Sequence, residues 1–544
     1  MTMNIHIVEP VEAAVLDAAH IGPIRGAFGT IAHHDVGART SWKRRLATLL
    51  AIIGPGLIVM AGDNDAGAFA TYGQAGQTYG TTLLWTLALL IPVLYVNQEM
   101  VLRLGAVTRV GHARLIFERF GRFWGAFSVV DLFLLNALTI VTEFIGISLA
   151  LDYLGLNKVA GVIVAAGLIV AAASTGDFRR FERFSMALVF GSLLLVPIWL
   201  MASPPMGQIA HDFIAPQLPT GGKLSDAMLL VIGIVGTTVA PWQLFFQQSY
   251  VIDKRITPRF IPYERLDLWL GIGLVLVGAV GIISFTAAAF AGTPEFGAFT
   301  DASAIAVGLE HHAGRAAGVM FAVALIDAAL IGASAVSLST AYAIGDVFDA
   351  RHSLHRKVSD AKGFYAVYAA LIAVAAAIVL TPGAPLGLLT VAVQTLAGVL
   401  LPSATVFLLL LCNDEAVLGP WVNGRFTNLL TGGIVAALVA LSVILTIAVL
   451  FPGAATETPI FGVLAGGVVA AGMAALAFVV FGRATRAASA CEGRETWRMP
   501  PLASLPPAKL SLSAKTWMAM LRIYLVVAGG LVLARIVMLA VGRG

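Results

Sequence analysis

Apolar runs of membrane length recur along this chain from Leu46 to Val541, and two of them are broken in the middle. The first, GPGLIVMAGDNDAGAFATYGQAG from Gly54 to Gly76, is interrupted by Asp63-Asn64-Asp65-Ala66-Gly67. The second, VIGIVGTTVAPWQLFFQQS from Val231 to Ser249, is interrupted at Ala240-Pro241-Trp242. Hydrocarbon offers no hydrogen bonds, so a spanning segment of about 20 residues must be a helix. A break in it is tolerated only where the freed backbone is buried in protein or lines a cavity. A carboxylate at that depth is costly and marks a functional site. Two broken helices at corresponding points of two half-repeats point to a transporter's central binding site.

The 544 residues are 59% hydrophobic and 12% charged. Soluble domains carry about 25% charged residues, so the composition indicates an all-α polytopic membrane protein. Thirteen apolar segments are predicted, at 46–76, 81–104, 124–154, 157–175, 184–202, 225–252, 266–292, 315–348, 363–381, 384–412, 426–451, 459–482 and 517–541. They divide the chain into a tail (1–45), a first five-helix repeat (46–202), a second (225–412), two further helices (426–482), a linker (483–516) and a C-terminal helix (517–544). The breaks then fall in the first helix of each repeat. The last segment carries Arg522 and Arg535, so it either spans or lies at the interface with snorkelling arginines.

Basic residues gather in alternate loops, for example Lys43-Arg44-Arg45, Arg179-Arg180-Arg183 and Lys254-Arg255. By the positive-inside rule those loops and the N-terminus are cytoplasmic, and the protein sits in the plasma (inner) membrane. Residues 1–45 lack the apolar stretch of a signal peptide, and 1–40 read as a poorly structured tail in which His33-His34 is a solvated pair. The opposite side holds Glu295, Asp301 and Glu310, which read as a solvated loop or a weak cation-gathering vestibule. Cys412 and Cys491 have no zinc-site spacing and suggest no disulfide. No HExxH, GxSxG or Walker motif stands in a credible context, which argues against an enzyme, and nothing points to a nucleic acid or a cofactor.

From about Gly54 to Leu450 the chain resembles the Nramp family of divalent-metal transporters. The stretches that carry this are GPGLIVMAG (54–62), FATYGQAGQTYGTTLLW (69–85), TEFIG (142–146), GIVGTTVAPWQLFFQQS (233–249) and VQTLAGVLLP (393–402). The resemblance implies a leucine-transporter-like inverted repeat of 5+5 helices with two or three more after it, working by alternating access. The family's first-helix motif, Asp-Pro-Gly-Asn, falls here on Asp65-Ala66-Gly67-Ala68, so the Asp is kept and the Asn ligand lost. Its sixth-helix Met-Pro-His falls on Ala240-Pro241-Trp242, so the thioether and the imidazole are gone. Thioethers favour softer metals, whereas carboxylates, carbonyls and water suit Mg²⁺, Ca²⁺ and Mn²⁺. Mg²⁺ keeps several of its waters, and the smaller side chains leave room for them. These departures are similar to those of the divergent Nramp-related magnesium-transporter branch.

The resemblance implies a metal site at Asp65, the carbonyls near Gly62 and Thr237, the Ala68 and Ala240 positions, and Gln394. Asp65 is read as the main ligand, with a helix cap as the structural alternative. Asp63, two residues away, cannot share its helix face; it binds a water of the ion, lines the outer path, or is a partnered or capping Asp. Gln243 and Gln247, four apart on one face, either hold waters or pack between helices. Glu143 braces the central network or binds the metal, Trp242 shapes the cavity wall, Gln394 binds metal or hydrogen-bonds between helices, and Asp327 pairs with a neighbouring helix or takes part in conduction. The acids that relay protons in coupled relatives fall on Phe133 and Ile140, leaving Glu143. The expected function is therefore uptake of Mg²⁺ and Mn²⁺ with weak or no proton coupling. The alternatives are a proton-coupled Mn²⁺/Fe²⁺ transporter, a carrier of a trivalent cation such as Al³⁺, and a metal sensor that no longer transports. Divalent ion and lipid bilayer are the partners read from the chain; protein partners are not legible.

Overall fold

The computed structural model describes residues 18–33, 35, 37–219, 224–383, 386–451, 457–481, 494–508 and 512–540. Its helices, in order, are α1 (Trp42–Ile52), α2 (Pro55–Asp63), α3 (Ala66–Tyr79), α4 (Trp85–Thr108), α5 (His112–Phe120), α6 (Arg122–Tyr153), α7 (Lys158–Ala173), α8 (Phe178–Gly191), α9 (Leu195–Ala202), α10 (Met206–Ile214), α11 (Leu224–Thr238), α12 (Pro241–Asp253), α13 (Ile261–Phe290), α14 (Ala302–Ala313), α15 (Arg315–Val347), α16 (Lys362–Leu380), α17 (Leu386–Cys412), α18 (Glu415–Leu418), α19 (Arg425–Leu450), α20 (Glu457–Phe481) and α21 (Leu512–Ala540). Each of the thirteen apolar segments falls on a helix or a broken helix. Among the described residues eight helices are long and apolar enough to cross a membrane, or up to ten if each bent pair counts as one span. The 157–175 segment is shorter than expected, a 16-residue helix.

Both expected breaks are present, and each is only two residues long. Asn64 and Asp65 separate α2 from α3; Val239 and Ala240 separate α11 from α12, with Pro241 opening the second half. Proline suits that position because the first turn of a helix has no use for its missing N–H. The halves of the two broken helices are tied together by Tyr72, whose hydroxyl lies 2.7 Å from Thr238 Oγ1. Around them α15 packs on α6, α13 lies along α2 and α3, and α12 lies against α4 and α15.

A third interruption, at Ile53-Gly54, has no counterpart in the sequence reading. It bends α1 from α2 by 49°. Its freed backbone groups are met by side chains from elsewhere. Lys254 Nζ donates to the carbonyls of Ile52 at 2.5 Å and Ile53 at 2.9 Å, and to Glu182 Oε1 at 2.7 Å. Asp267 accepts from Gly54 N at 3.1 Å and Gly56 N at 2.6 Å. Lys254 and Glu182 have no exposed side-chain surface. Gly56 and Gly271 let α2 and α13 touch, since a Cβ on Gly56 would lie 2.7 Å from Leu268 N.

Two expectations are corrected at this same end of the bundle. The tail is not unstructured from Ala18 onward. A short antiparallel pair, Ile24–Arg25 with Thr30–Ile31, buries Ile24, Ala27 and Ile31. Ala27 N donates to Glu182 Oε2 at 2.5 Å, and Arg255 donates to the carbonyls of Ala19 and Pro23. Residues 494–508, read as linker, are strapped down. Trp421 Nε1 donates to Arg494 O at 2.9 Å, and Arg119 Nη1 donates to Pro506 O at 2.7 Å. The C-terminal helix α21 packs on α17 and α19, with Tyr524 OH 2.7 Å from Ser442 Oγ and Arg522 stacked 3.6 Å over the Phe123 ring. His34 and Cys491 lie outside the described residues; Cys412 is buried and free.

At the opposite end two acids of the long loop, Asp301 and Glu310, are engaged locally through their side chains. Asp301 caps α14 through Ser303 N at 2.8 Å and Ala304 N at 3.2 Å. Glu310 accepts from Tyr153 OH at 2.6 Å and Arg315 at 3.0 Å, and the carbonyl of Glu295 accepts from Gln77.

The Lys254 cluster generates a stability prediction. Lys254→Met should lower the melting temperature of the detergent-solubilised protein sharply, because it leaves a buried carboxylate and two backbone carbonyls without their donor, a loss of about 3–5 kcal/mol. The double variant Lys254→Met/Glu182→Gln should recover part of that loss by removing the stranded charge. A melting temperature equal to wild type for Lys254→Met would show that the pair contributes no stability.

Candidate functional site

The break between α2 and α3 leaves the first amides of α3 without helical partners. Asp65 sits at the N-cap, with extended backbone, and its Oδ1 accepts from Ala68 N at 2.8 Å. Ala66 N donates to Glu143 Oε2 on α6 at 3.1 Å. The capping alternative for Asp65 is thus realised, but it occupies one oxygen; an ionised carboxylate has a second, with lone pairs to spare. Gly332 on α15 brings the two acids together. A Cβ there would lie 3.0 Å from Asp65 Cβ and 2.9 Å from Glu143 Cδ. Glu143 Oε1 has no amide or hydroxyl donor, and the Glu143 and Asp65 carboxyl groups lie within hydrogen-bond reach of each other.

Asp65 lines a cavity of about 50 Å³, enclosed by α3, α6, α11, α17 and the start of α12. The wall includes Gly67, Thr139, Thr142, Gly236, Thr237, Ala240, Trp242 and Thr390. One ordered water needs roughly 10–15 Å³ of such space, so the cavity admits a few. Its described polar groups are a carboxylate, hydroxyls, the Trp242 indole and backbone; among the described residues of the wall none carries a thioether or an imidazole. Trp242 is buried, its ring lies over Gly62 (3.2 Å from a Cβ placed there), and Ser339 Oγ donates to its carbonyl at 3.0 Å.

Of the expected set, the fold brings Asp65, Thr237, Ala240 and Trp242 to this cavity. It does not bring Gly62 or Ala68 to the wall; Gly62 lies under the Trp242 ring, and the Ala68 amide serves Asp65. The Gln394 side chain lies outside the described residues, on α17. Asp63 does not line the outer path. It is buried on the far side of the break, where Gln243 Nε2 donates to its Oδ1 and Gln98 Nε2 donates to Gln243 Oε1 at 2.9 Å. Gln247 is wholly buried, with neither amide atom hydrogen-bonded. Asp327 faces Gly191 on α8, and its Oδ2 has no partner in place of the expected pairing.

Several residues were missed by the sequence reading. Thr139 and Thr142 lie on the α6 face that also carries Glu143, and a spacing of three was the available signal. Asp131, an acid within α6, faces Ser403 on α17 at 3.5 Å. It precedes Glu143 by twelve residues, about 18 Å of helix, too far for direct exchange of a proton.

A family model described as "Natural resistance-associated macrophage protein-like" (Nramp) matches residues 56–448. The divalent metal cation transporter MntH of Ralstonia nicotianae is 30% identical over 407 residues, covering 71% of this chain and 87% of that protein. The MntH of Pectobacterium carotovorum is 28% identical over 308 residues, covering 54% of this chain and 70% of its own. A crystal structure of a variant of the Eremococcus coleocola manganese transporter superposes with a TM-score of 0.64 at 19% identity, covering 86% of this chain and 98% of the other. That likeness establishes the leucine-transporter-like fold.

Gly332 supplies the test of the paired acids. Gly332→Ala should reduce metal uptake by about tenfold or more, since the methyl would push Asp65 and Glu143 from their present positions. Gly273→Ala, where a Cβ meets nothing within 4 Å, should leave uptake unchanged. Equal uptake by both variants would show that the close approach of the two carboxylates has no bearing on transport.

Proposed function

The chain belongs to the Nramp family, and on that premise we propose that it carries hydrated Mg²⁺ and Mn²⁺ through the site at Asp65, with little or no coupling to protons. It is an integral membrane transporter of divalent metal ions, not an enzyme. The observation that carries the metal preference is the cavity wall: one carboxylate, hydroxyls and backbone, with Ala240 and the Trp242 ring where a thioether and an imidazole would favour softer ions. Space for several waters suits an ion that dehydrates reluctantly. In this reading Asp65 is the charged ligand and Thr237 offers a carbonyl. Gln394 on α17 is the further ligand that the family resemblance implies. Glu143 holds the second half-helix in place through Ala66 N.

The weak coupling follows from what surrounds Asp65. Phe133 and Ile140 cannot titrate, and Asp131 is too distant to pass a proton to Glu143 directly. Import does not require coupling, because an inside-negative potential supplies about 4.6 kcal/mol per 100 mV to a divalent ion. The same proposal places the basic end of the bundle in the cytoplasm of a cell bounded by the plasma membrane, and treats 46–202 and 225–412 as the two repeats.

Purified protein in liposomes tests this. Mg²⁺ and Mn²⁺ should enter, faster with an inside-negative potential, without metal-dependent acidification of the lumen. Asp65→Ala should abolish entry while the protein stays folded. Proton entry that depends on metal, absent from Asp65→Ala, would establish coupling and overturn that part of the reading.

Selectivity has its own test. Ala240→Met should raise the Mn²⁺-to-Mg²⁺ uptake ratio, by adding a thioether to the wall and filling space that retained waters need. An unaltered ratio would mean that Ala240 does not face the ion.

A further inference from the structure

Three threonines of the Asp65 cavity share one hydrogen-bonding state. Thr139 Oγ1 donates to Leu135 O at 2.9 Å, Thr142 Oγ1 to Thr139 O at 2.7 Å, and Thr390 Oγ1 to Leu386 O at 3.0 Å. All three line the cavity. A hydroxyl has one hydrogen and two lone pairs, so once the hydrogen goes to a carbonyl of its own helix it can only accept. The α6 and α17 side of the cavity therefore presents acceptors, as the Asp65 carboxylate does. The side chains of the wall that can still donate, Thr237 and Trp242, come from α11 and α12. Thr142 also lies close to Asp65. The point where a Cβ on Gly67 would stand is 3.2 Å from Asp65 Oδ1 and 4.0 Å from Thr142 Oγ1. Outside residues 63–71, Thr142 Oγ1 is the only described atom within 4 Å of that point. Glycine at 67 thus leaves a gap between the carboxylate and the hydroxyl.

We propose that Thr142, with Thr139 and Thr390 beside it on the wall, accepts hydrogen bonds from waters that the divalent ion keeps when it binds Asp65, and so sets how much of its hydration shell the ion carries. A metal-bound water turns its oxygen to the ion and both hydrogens outward, and the ion makes those hydrogens more acidic. A wall that receives such an ion must accept. A wall of donors would repel it, and a wall of carbon would leave the outward hydrogens without partners. The gap over Gly67 is the place for one such water, flanked by the two oxygens that would receive its hydrogens. The ion then touches Asp65, and Thr142 touches the ion's water. Mg²⁺ gives up its waters reluctantly and gains most from acceptors set at that remove, whereas an ion that dehydrates more readily gains less. Thr142 is in this way a specificity-determining residue that acts through water.

The inference rests on the reading of Asp65 as the site of a hydrated ion, and the experiment separates the two. Thr142→Val keeps the shape and removes the acceptor; Thr142→Ser keeps the acceptor and removes the methyl. In proteoliposomes Thr142→Val should lower kcat/KM for Mg²⁺ uptake by about tenfold and for Mn²⁺ by less than about threefold, which raises the Mn²⁺-to-Mg²⁺ ratio. Thr142→Ser should stay within about twofold of wild type for both ions. Thr390→Val, on a different helix, should shift the ratio in the same direction, and it decides the matter if Thr142→Val does not fold. An unchanged ratio in Thr142→Val, whether both rates are kept or both fall alike, would overturn the inference. So would a Thr142→Ser variant as impaired as Thr142→Val, because shape and not the acceptor would then be what counts. Wild-type uptake by Asp65→Ala would instead refute the site itself, whatever Thr142 does. Entry of Mn²⁺ without Mg²⁺ in the wild type would refute the metal preference and this inference together.

Discussion

A helix that stops inside hydrocarbon leaves amides and carbonyls that nothing outside the protein can satisfy. This structure stops its helices twice near the centre and once at the Lys254 end, and places its buried charges on the ends so created. Lys254 closes the carbonyls of Ile52 and Ile53, Asp267 takes the amides of Gly54 and Gly56, and Asp65 and Glu143 take the amides that open α3. The charges are costly to bury and the backbone groups are costly to strand, and each pays for the other. The result is specific in geometry, because a backbone amide fixes the position of the carboxylate that caps it. Asp65 is directed at the cavity because its other oxygen is held by Ala68 N.

The same interactions define what must let go if the bundle rearranges. The end of α1 is attached to α8 and the end of α12 through the Glu182–Lys254 pair, and the start of α2 to α13 through Asp267. The hairpin at Ile24–Ile31 adds a second tie to Glu182, through Ala27 N. Glu264, on α13 close to this group, is wholly buried with neither carboxylate oxygen hydrogen-bonded. Separating Lys254 from Glu182 would strand a buried charge, so any rearrangement here must move the group together or re-pair it.

Much of this was legible in the residues. The period and length of the apolar runs gave the spans, and Asp63–Gly67 and Ala240–Trp242 gave the breaks to within two residues. Asp65 in the cavity followed from its motif. What escaped was set by contacts between distant parts of the chain. Ile53-Gly54 looks like ordinary apolar sequence, and its break is visible only once Lys254 and Asp267 are seen to serve it. The tail from Ala18 and the strap at 494–508 have the composition of loops; they are ordered because Arg255, Arg119 and Trp421 bind their carbonyls. The motif singles out Asp65 and leaves Asp63 with several readings. Only the turn of the backbone between them sends one to the cavity and the other to Gln243.

That turn bears on selectivity. A transition-metal site gains affinity from a thioether and can afford to strip water from its ion, whereas a wall of hydroxyls and backbone around a single carboxylate cannot replace a full hydration shell. Such a site holds an ion loosely and with its waters. Loose binding is an advantage where the driving force is the membrane potential alone, since an ion held tightly at the centre would not be released by it. In the proposed reading, Ala240 in place of a thioether, Phe133 and Ile140 in place of titratable groups, and the cavity's room for water are aspects of one arrangement. In it a hydrated divalent ion needs space more than ligands, and the membrane potential alone draws it inward.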